Sequence, residues 1–301
     1  MSLNRNLLQH GMFVSKLLHN RGRLRNAYSK VVTSYYKRIF ERIMAGRISL
    51  PIKDKKSVFP AISFTTWEPR IHALPLVLIN LIEQRPMPSV IYVWLTQHDY
   101  DKINPDVIRI FSKSIVEFLI TEDFGPHKKW FPLVESGFTD PFVFCDDDTY
   151  YPNGWYRALL ESDDKNSYVG HNCHYMNKSN DGLLLGYNLW EKNIHTKGLV
   201  SHNIFPVGCG GVLLYPNRIA HDFRSSELIS ELCPMGDDIW LKLAHLVAGI
   251  PCKKSDYLFP YIEYQSTQGF SLMKTNVEQN QNDVQMNDVI EYFNISLADI
   301  N

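Results

Sequence analysis

The chain is 301 residues long, 45% hydrophobic and 21% charged, which is the composition of an ordinary globular protein rather than a disordered or collagen-like one. The net charge is −1, but residues 1–58 carry thirteen Lys/Arg against Glu41 and Asp54, a net of +11, which leaves −12 for the remainder. No apolar run reaches the ~18 residues of a membrane span, no signal-peptide core is present, and five scattered cysteines fit neither a disulfide framework nor a zinc motif. The expectation is a soluble cytoplasmic protein with reduced, buried thiols.

Residues 1–58 read as a basic helical arm. Leu7, Leu8, Met12, Phe13, Leu17 and Leu18 recur near helical spacing, as do Val31, Val32, Tyr35, Tyr36, Ile39, Phe40 and Ile43, with cations in the gaps. Such a stripe serves either an anionic membrane surface or acidic partner, or docking on the main domain or a second subunit. Nucleic acid is not expected, since no nucleic-acid-binding motif accompanies the charge. The proline-flanked linker 51–60 marks the boundary, so the second domain is 59–301.

Ala61 to Thr66 reads as the first strand, followed by a turn at Trp67-Glu68-Pro69-Arg70 and a helix from Ala73 to about Gln84. Val90 to Leu95 is the next strand, Ile103 to Ser112 a helix, and Ile115 to Ile120 a third strand. This alternation predicts an α/β fold with a largely parallel sheet and helices on both faces. A polar turn carries Asp123, Lys128 and Lys129 ahead of a short helix, Trp130 to Ser136. The two lysines suit either phosphate contact or a solvated charge pair.

A fourth strand, Phe142 to Cys145, ends in Asp146, Asp147 and Asp148. Three carboxylates at the carboxyl end of a strand repel one another unless a cation sits among them, and hard divalent cations there often carry substrate phosphates. Pro152 is expected to open a helix reaching Leu160. Tyr168 to Tyr175 is another strand, and residues 177–200 read as an insertion or flexible lid. Gly208, Gly210 and Gly211 precede an apolar strand and permit close backbone approach to a ligand, without forming a dinucleotide fingerprint. Asp237 and Asp238 start a helix running to about Val247, where a dipole favours acids and one acid suits an N-cap. Tyr257 to Tyr264 reads as a late strand, followed by an Asn/Gln-rich tail and a last helix near Asp288 to Phe293.

Three segments together resemble the GT-A-fold glycosyltransferases, close to family-2-like bacterial enzymes of capsule or lipopolysaccharide synthesis. They are Ser63 to Arg70; Phe144 to Asp148 with Tyr151, Pro152 and Trp155; and Gly210-Gly211 followed by Asp237 to Leu241. The similarity covers roughly residues 60–275. It implies a GT-A, Rossmann-like fold, a nucleotide-diphosphate donor such as a UDP-sugar, and a glycan or lipid-linked acceptor at the inner face of the membrane. It implies Mn²⁺ or Mg²⁺ held by Asp148 and Asp146, with Gln265, Ser266 or water as a further ligand. Thr65, Glu68, Arg70, Asp123, Lys128, Lys129, Asp146 and Asp147 match the nucleotide-sugar pocket, and Gly210 and Gly211 its floor. Asp238 or Asp237 matches the catalytic base of inverting members. The alternatives are a nucleotidyltransferase of sugar activation, for which a glycine-rich loop after strand one is missing, and a non-catalytic glycan-binding scaffold.

Overall fold

The computed structural model describes residues 22–53, 57–258, 262–270 and 280–296. The first apolar stripe of the arm (Leu7 to Leu18) and residues 271–279 of the tail lie outside them.

One eight-stranded sheet organises the chain. In sequence order its strands are β1 (Ala61–Thr65), β2 (Ile91–Leu95), β3 (Val116–Ile120), β4 (Phe142–Phe144), β5 (Tyr168–Tyr175), β6 (Val200–Ser201), β7 (Ile204–Leu214) and β8 (Cys252–Lys254). In space they run β3-β2-β1-β4-β7-β5-β8-β6. The pairs β1–β2, β2–β3, β1–β4 and β5–β8 are parallel, while β7 runs antiparallel between β4 and β5. The sheet is therefore mostly parallel. Chain order reverses between β1 and β4, and in such a sheet the crevice beyond the strands' carboxyl ends at that reversal is the place for a ligand.

Helices cover the sheet: α1 (Gly22–Met44), α2 (Leu74–Ile82), α3 (Gln97–Asp101), α4 (Pro105–Phe111), α5 (Phe131–Glu135), α6 (Trp155–Glu161), α7 (Ser226–Leu232), α8 (Asp237–Val247) and α9 (Gln281–Tyr292). Every residue of α2 is buried, which fits a helix apolar on all sides and packed on two. Its one polar residue, Asn80, is fully employed. Its amide donates to the Tyr36 hydroxyl (2.9 Å) and the Tyr151 carbonyl (2.8 Å), and its oxygen accepts from the Tyr151 N–H (2.9 Å).

The second stripe of the arm docks on the domain. Val32, Tyr36 and Ile43 of α1 are buried in the same apolar cluster as α2. Tyr36 stacks on Tyr150 (5.9 Å between rings), Tyr150 lies 3.6 Å from the Tyr264 ring, Thr33 hydrogen-bonds the Tyr150 hydroxyl (2.5 Å), and Ser29 donates to the Glu263 carbonyl (2.7 Å). Each buried apolar side chain contributes roughly 1.5–3 kcal/mol, so α1 is part of the core.

Several expectations are corrected. The helix expected over 103–112 is Pro105–Phe111, capped where Asn104 accepts from the Asp106 N–H (2.8 Å) with Pro105 at its first position, and a further short helix, Gln97–Asp101, precedes it. Pro152 stays outside α6, which starts after Gly154 at φ +92°. The late strand is instead β8. Within 257–264 only Glu263 pairs, in a single bridge with Thr149, and 259–261 lie outside the described residues. The 177–200 segment is seated rather than loose: Tyr187, Trp190 and Ile194 are buried, and the Tyr187 N–H donates to Asp283 of α9 (2.6 Å). Asp237 and Asp238 are not N-caps. The cap is Gly236, and both acids lie in the first turn.

Candidate active site

β1 and β4 are parallel neighbours, so the segments after them emerge side by side. Arg70 comes from the 3₁₀ turn after β1, and Asp146, Asp147 and Asp148 come from the turn after β4. Arg70 is buried and its guanidinium reaches both inner acids: Nη1 is 2.6 Å from Asp147 Oδ1 and Nη2 is 3.1 Å from Asp148 Oδ2. The planar fork of arginine suits two neighbouring carboxylates. Burial pushes both carboxyls up, against the pull of Arg70, and Asp148 rises to about 7. Asp147 Oδ2 is buried without a hydrogen-bond partner.

The second half of the site comes from β7 and α8. The β5–β7 register shifts between Gly170 and Asn172, so residues 208–211 arch out of the ladder. The Gly208 N–H donates to Asp238 Oδ1 (2.9 Å). The Tyr151 hydroxyl accepts from the Asp146 N–H (3.0 Å) and points at the carbonyls of Asp146 (3.1 Å) and Cys209 (3.2 Å). Trp155 Nε1 donates to the Gly210 carbonyl (2.6 Å). The glycines here make room for the protein's own atoms. A Cβ on Gly211, whose φ is +87°, would lie 2.3 Å from the Trp155 ring, and one on Gly210 would lie 2.5 Å from Asn172.

Lys129 joins the halves. Its Nζ is 2.7 Å from Asp146 Oδ1 and 2.7 Å from Asp237 Oδ2. Lys128 pairs with Asp123. Both lysines are buried, so the solvated-pair reading does not hold. Asp237 is buried, while Asp238 is half-buried with Gly208 as its hydrogen-bond partner. Burial raises both carboxyls, Asp238 well above the usual range because Asp237 lies beside it.

Thr65, Glu68 and Gln265 make contacts outside these two acid clusters. Thr65 donates to the Trp94 carbonyl (2.9 Å). Exposed Glu68 faces His98 (2.9 Å) and Lys102 (3.2 Å), and its N–H donates to Asp99 (2.7 Å). Gln265 meets Asn26 of α1.

Among the described residues no three His, Cys, Asp or Glu side chains are grouped to hold a metal ion. The residues instead fit an ion of the magnesium type, which takes one or two carboxylates and fills its shell with substrate phosphate and water. Among the described residues four of the five aspartates share two cations, Arg70 and Lys129, and Asp147 Oδ2 is buried without a hydrogen-bond partner. Asp146 and Asp148 would hold the ion.

No family model and no curated protein matches the chain. Among solved structures, the inositol-1-phosphate CTP transferase from T. maritima is 12% identical, with 78% of this chain and 98% of that chain covered and a TM-score of 0.38. An apo UDP-glucose pyrophosphorylase is 10% identical over 75% of this chain and 86% of that chain, with a TM-score of 0.33. Both scores lie below 0.5, so function is read from the site's own residues.

Proposed function

We propose that the protein is a glycosyltransferase that moves a sugar from a nucleotide-diphosphate donor, such as a UDP-sugar, to an acceptor hydroxyl with inversion. The observation that supports this reading is the meeting of two acid clusters, Asp146 to Asp148 and Asp237-Asp238, on either side of Lys129. One cluster suits the leaving diphosphate and the other the nucleophile.

Asp238 serves as the base. It is the more open acid of its pair, and the Gly208 N–H orients it. A carboxylate within reach of an acceptor hydroxyl takes its proton as the oxygen attacks. As the acceptor oxygen bonds to the anomeric carbon, its proton passes to Asp238, and the carbon–oxygen bond to the diphosphate breaks with its electron pair on the phosphate. When bound, Mg²⁺ or Mn²⁺ supplies positive charge to that diphosphate. Arg70 fixes the orientation of Asp147 and Asp148, so this side of the site is set before the donor arrives.

The test is incubation with UDP-sugars and Mn²⁺ or Mg²⁺, reading UDP release and calorimetric binding with and without the ion. Metal-dependent UDP release is expected. Pyrophosphate formed from a nucleoside triphosphate and a sugar phosphate, with no UDP release, overturns the reading in favour of nucleotidyl transfer. Glycan binding without nucleotide binding overturns it in favour of a scaffold.

The arm supports a membrane-bound acceptor. Lys30, Lys37, Arg38 and Arg42 on α1, and Arg47 just beyond it, are exposed, with Glu41 the one acid among them. No helix among the described residues is long and apolar enough to cross a membrane. An anionic membrane surface carrying a lipid-linked acceptor fits this face, at about 1 kcal/mol per basic residue near the surface. The protein is expected to sediment with phosphatidylserine-containing vesicles at low salt and to lose that binding when Lys37, Arg38 and Arg42 become Glu. Equal binding to pure phosphatidylcholine sinks the idea.

A further inference from the structure

We infer that Lys129 is a positioning residue, an internal cation that ties the strand-end acids to the helix-start acids without touching the donor phosphates. The inference rests on the transferase reading for its kinetic part alone.

The Lys129 side chain is buried among close neighbours. Asp146 and Asp237 each lie 2.7 Å from Nζ, and the Phe144 ring centroid is 5.5 Å away. A Cβ on Gly208 would stand 2.7 Å from Nζ, so even an alanine there would press on the ammonium. The side chain is 5% exposed, against 28% for Asp146. A phosphate reaching Nζ would have to displace one of these neighbours.

The lysine's main chain is fixed as firmly as its tip. Its carbonyl accepts from Ser63 Oγ of β1 (2.7 Å), and Ser63 Oγ in turn accepts from Trp94 Nε1 of β2 (3.1 Å). The cation is thus anchored on the sheet and reaches outward to two carboxylates on different elements. Asp237 is the first residue of α8, so its tether sets where the adjacent Asp238 stands relative to the acids after β4. A compact ammonium on a four-carbon stem can meet two carboxylates from different directions, whereas a guanidinium presents a planar fork. Displacement of about 1 Å in a reacting group costs on the order of 10²-fold in rate.

Lys129→Met keeps the length and removes the charge. The expected result is a fall in kcat of about 10²-fold with the donor KM and calorimetric donor affinity unchanged, and partial recovery of kcat in Lys129→Arg. A phosphate contact predicts the opposite split, a raised donor KM with kcat kept, and that result overturns the inference. Urea unfolding gives a readout independent of turnover, with Lys129→Met, Asp237→Asn and the double variant compared by a double-mutant cycle. The double variant is expected to be no less stable than Lys129→Met alone, since removing Asp237 relieves a carboxylate left without its cation. Additive losses overturn the tie. If the wild type turns over no UDP-sugar, the transferase reading fails, while the unfolding cycle still decides whether Lys129 couples the two halves.

Discussion

Asp238→Asn is expected to lower sugar transfer by about 10²–10⁴-fold, the usual contribution of a general base, while calorimetric affinity for the nucleotide sugar stays close to that of the wild type. Asparagine is isosteric with aspartate and can still accept the Gly208 N–H through its side-chain oxygen, so the fold and the position of the group are kept and only the proton acceptor is lost. The same substitution at Asp237 behaves differently. It leaves Lys129 buried with one carboxylate instead of two, and the rate falls because the neighbouring Asp238 loses its tether. Unchanged turnover in Asp238→Asn removes the base assignment. A loss of donor affinity as large as the loss of rate moves Asp238 to the donor side of the crevice.

Asp148→Asn is expected to stabilise the ligand-free protein at pH 8 and to abolish its metal-dependent binding of UDP-sugar. The Asp148 carboxyl is pushed up to about 7 from 3.8, first by burial and then by Asp146, with Arg70 pulling the other way. The folded protein therefore holds this proton more tightly than the unfolded chain. The contribution of Asp148 to stability is greatest below about pH 4, falls as the pH rises toward about 7, and then levels off. Over that window ionisation of the group costs stability, and asparagine removes the cost. Urea unfolding in chelator should show wild type and variant alike near pH 4 and the variant ahead at pH 8. A variant that is less stable at pH 8 sinks this account. The opposition of stability and binding is what a site built of repelling acids produces.

The three acids after β4 were legible because their signal is local. A β-forming run ending in consecutive aspartates places them at a strand end wherever the strand lies in the sheet. The same holds for β1, for β5 and for α8, whose bounds fall within a residue or so of those expected. What could not be read is pairing across the chain. Lys129 stood beside Lys128 and Asp123 in sequence, and nothing in that neighbourhood indicates Asp146 or Asp237 as partners. Tyr151, which holds the Asp146 N–H and faces Cys209, was visible only as a neighbour of the acidic motif. The glycines of β7 announced close approach correctly, but what approaches is Trp155 and Asn172. β8 is three residues long with two lysines, too short and too charged for a period-2 pattern.

The seat of α1 has a consequence for how the chain is made. Its apolar face packs on α2, the next long helix in the chain, yet Tyr150, Tyr264 and the Glu263 carbonyl, which complete the seat, belong to later segments. At about 5–20 residues per second on the ribosome, the helix waits on the order of tens of seconds with its Tyr150–Tyr264 side uncovered. The turn that follows the acids is therefore locked only when the carboxyl-terminal quarter emerges. A nascent chain cut short of Glu263 would carry every acid of the site and still lack the clasp behind them.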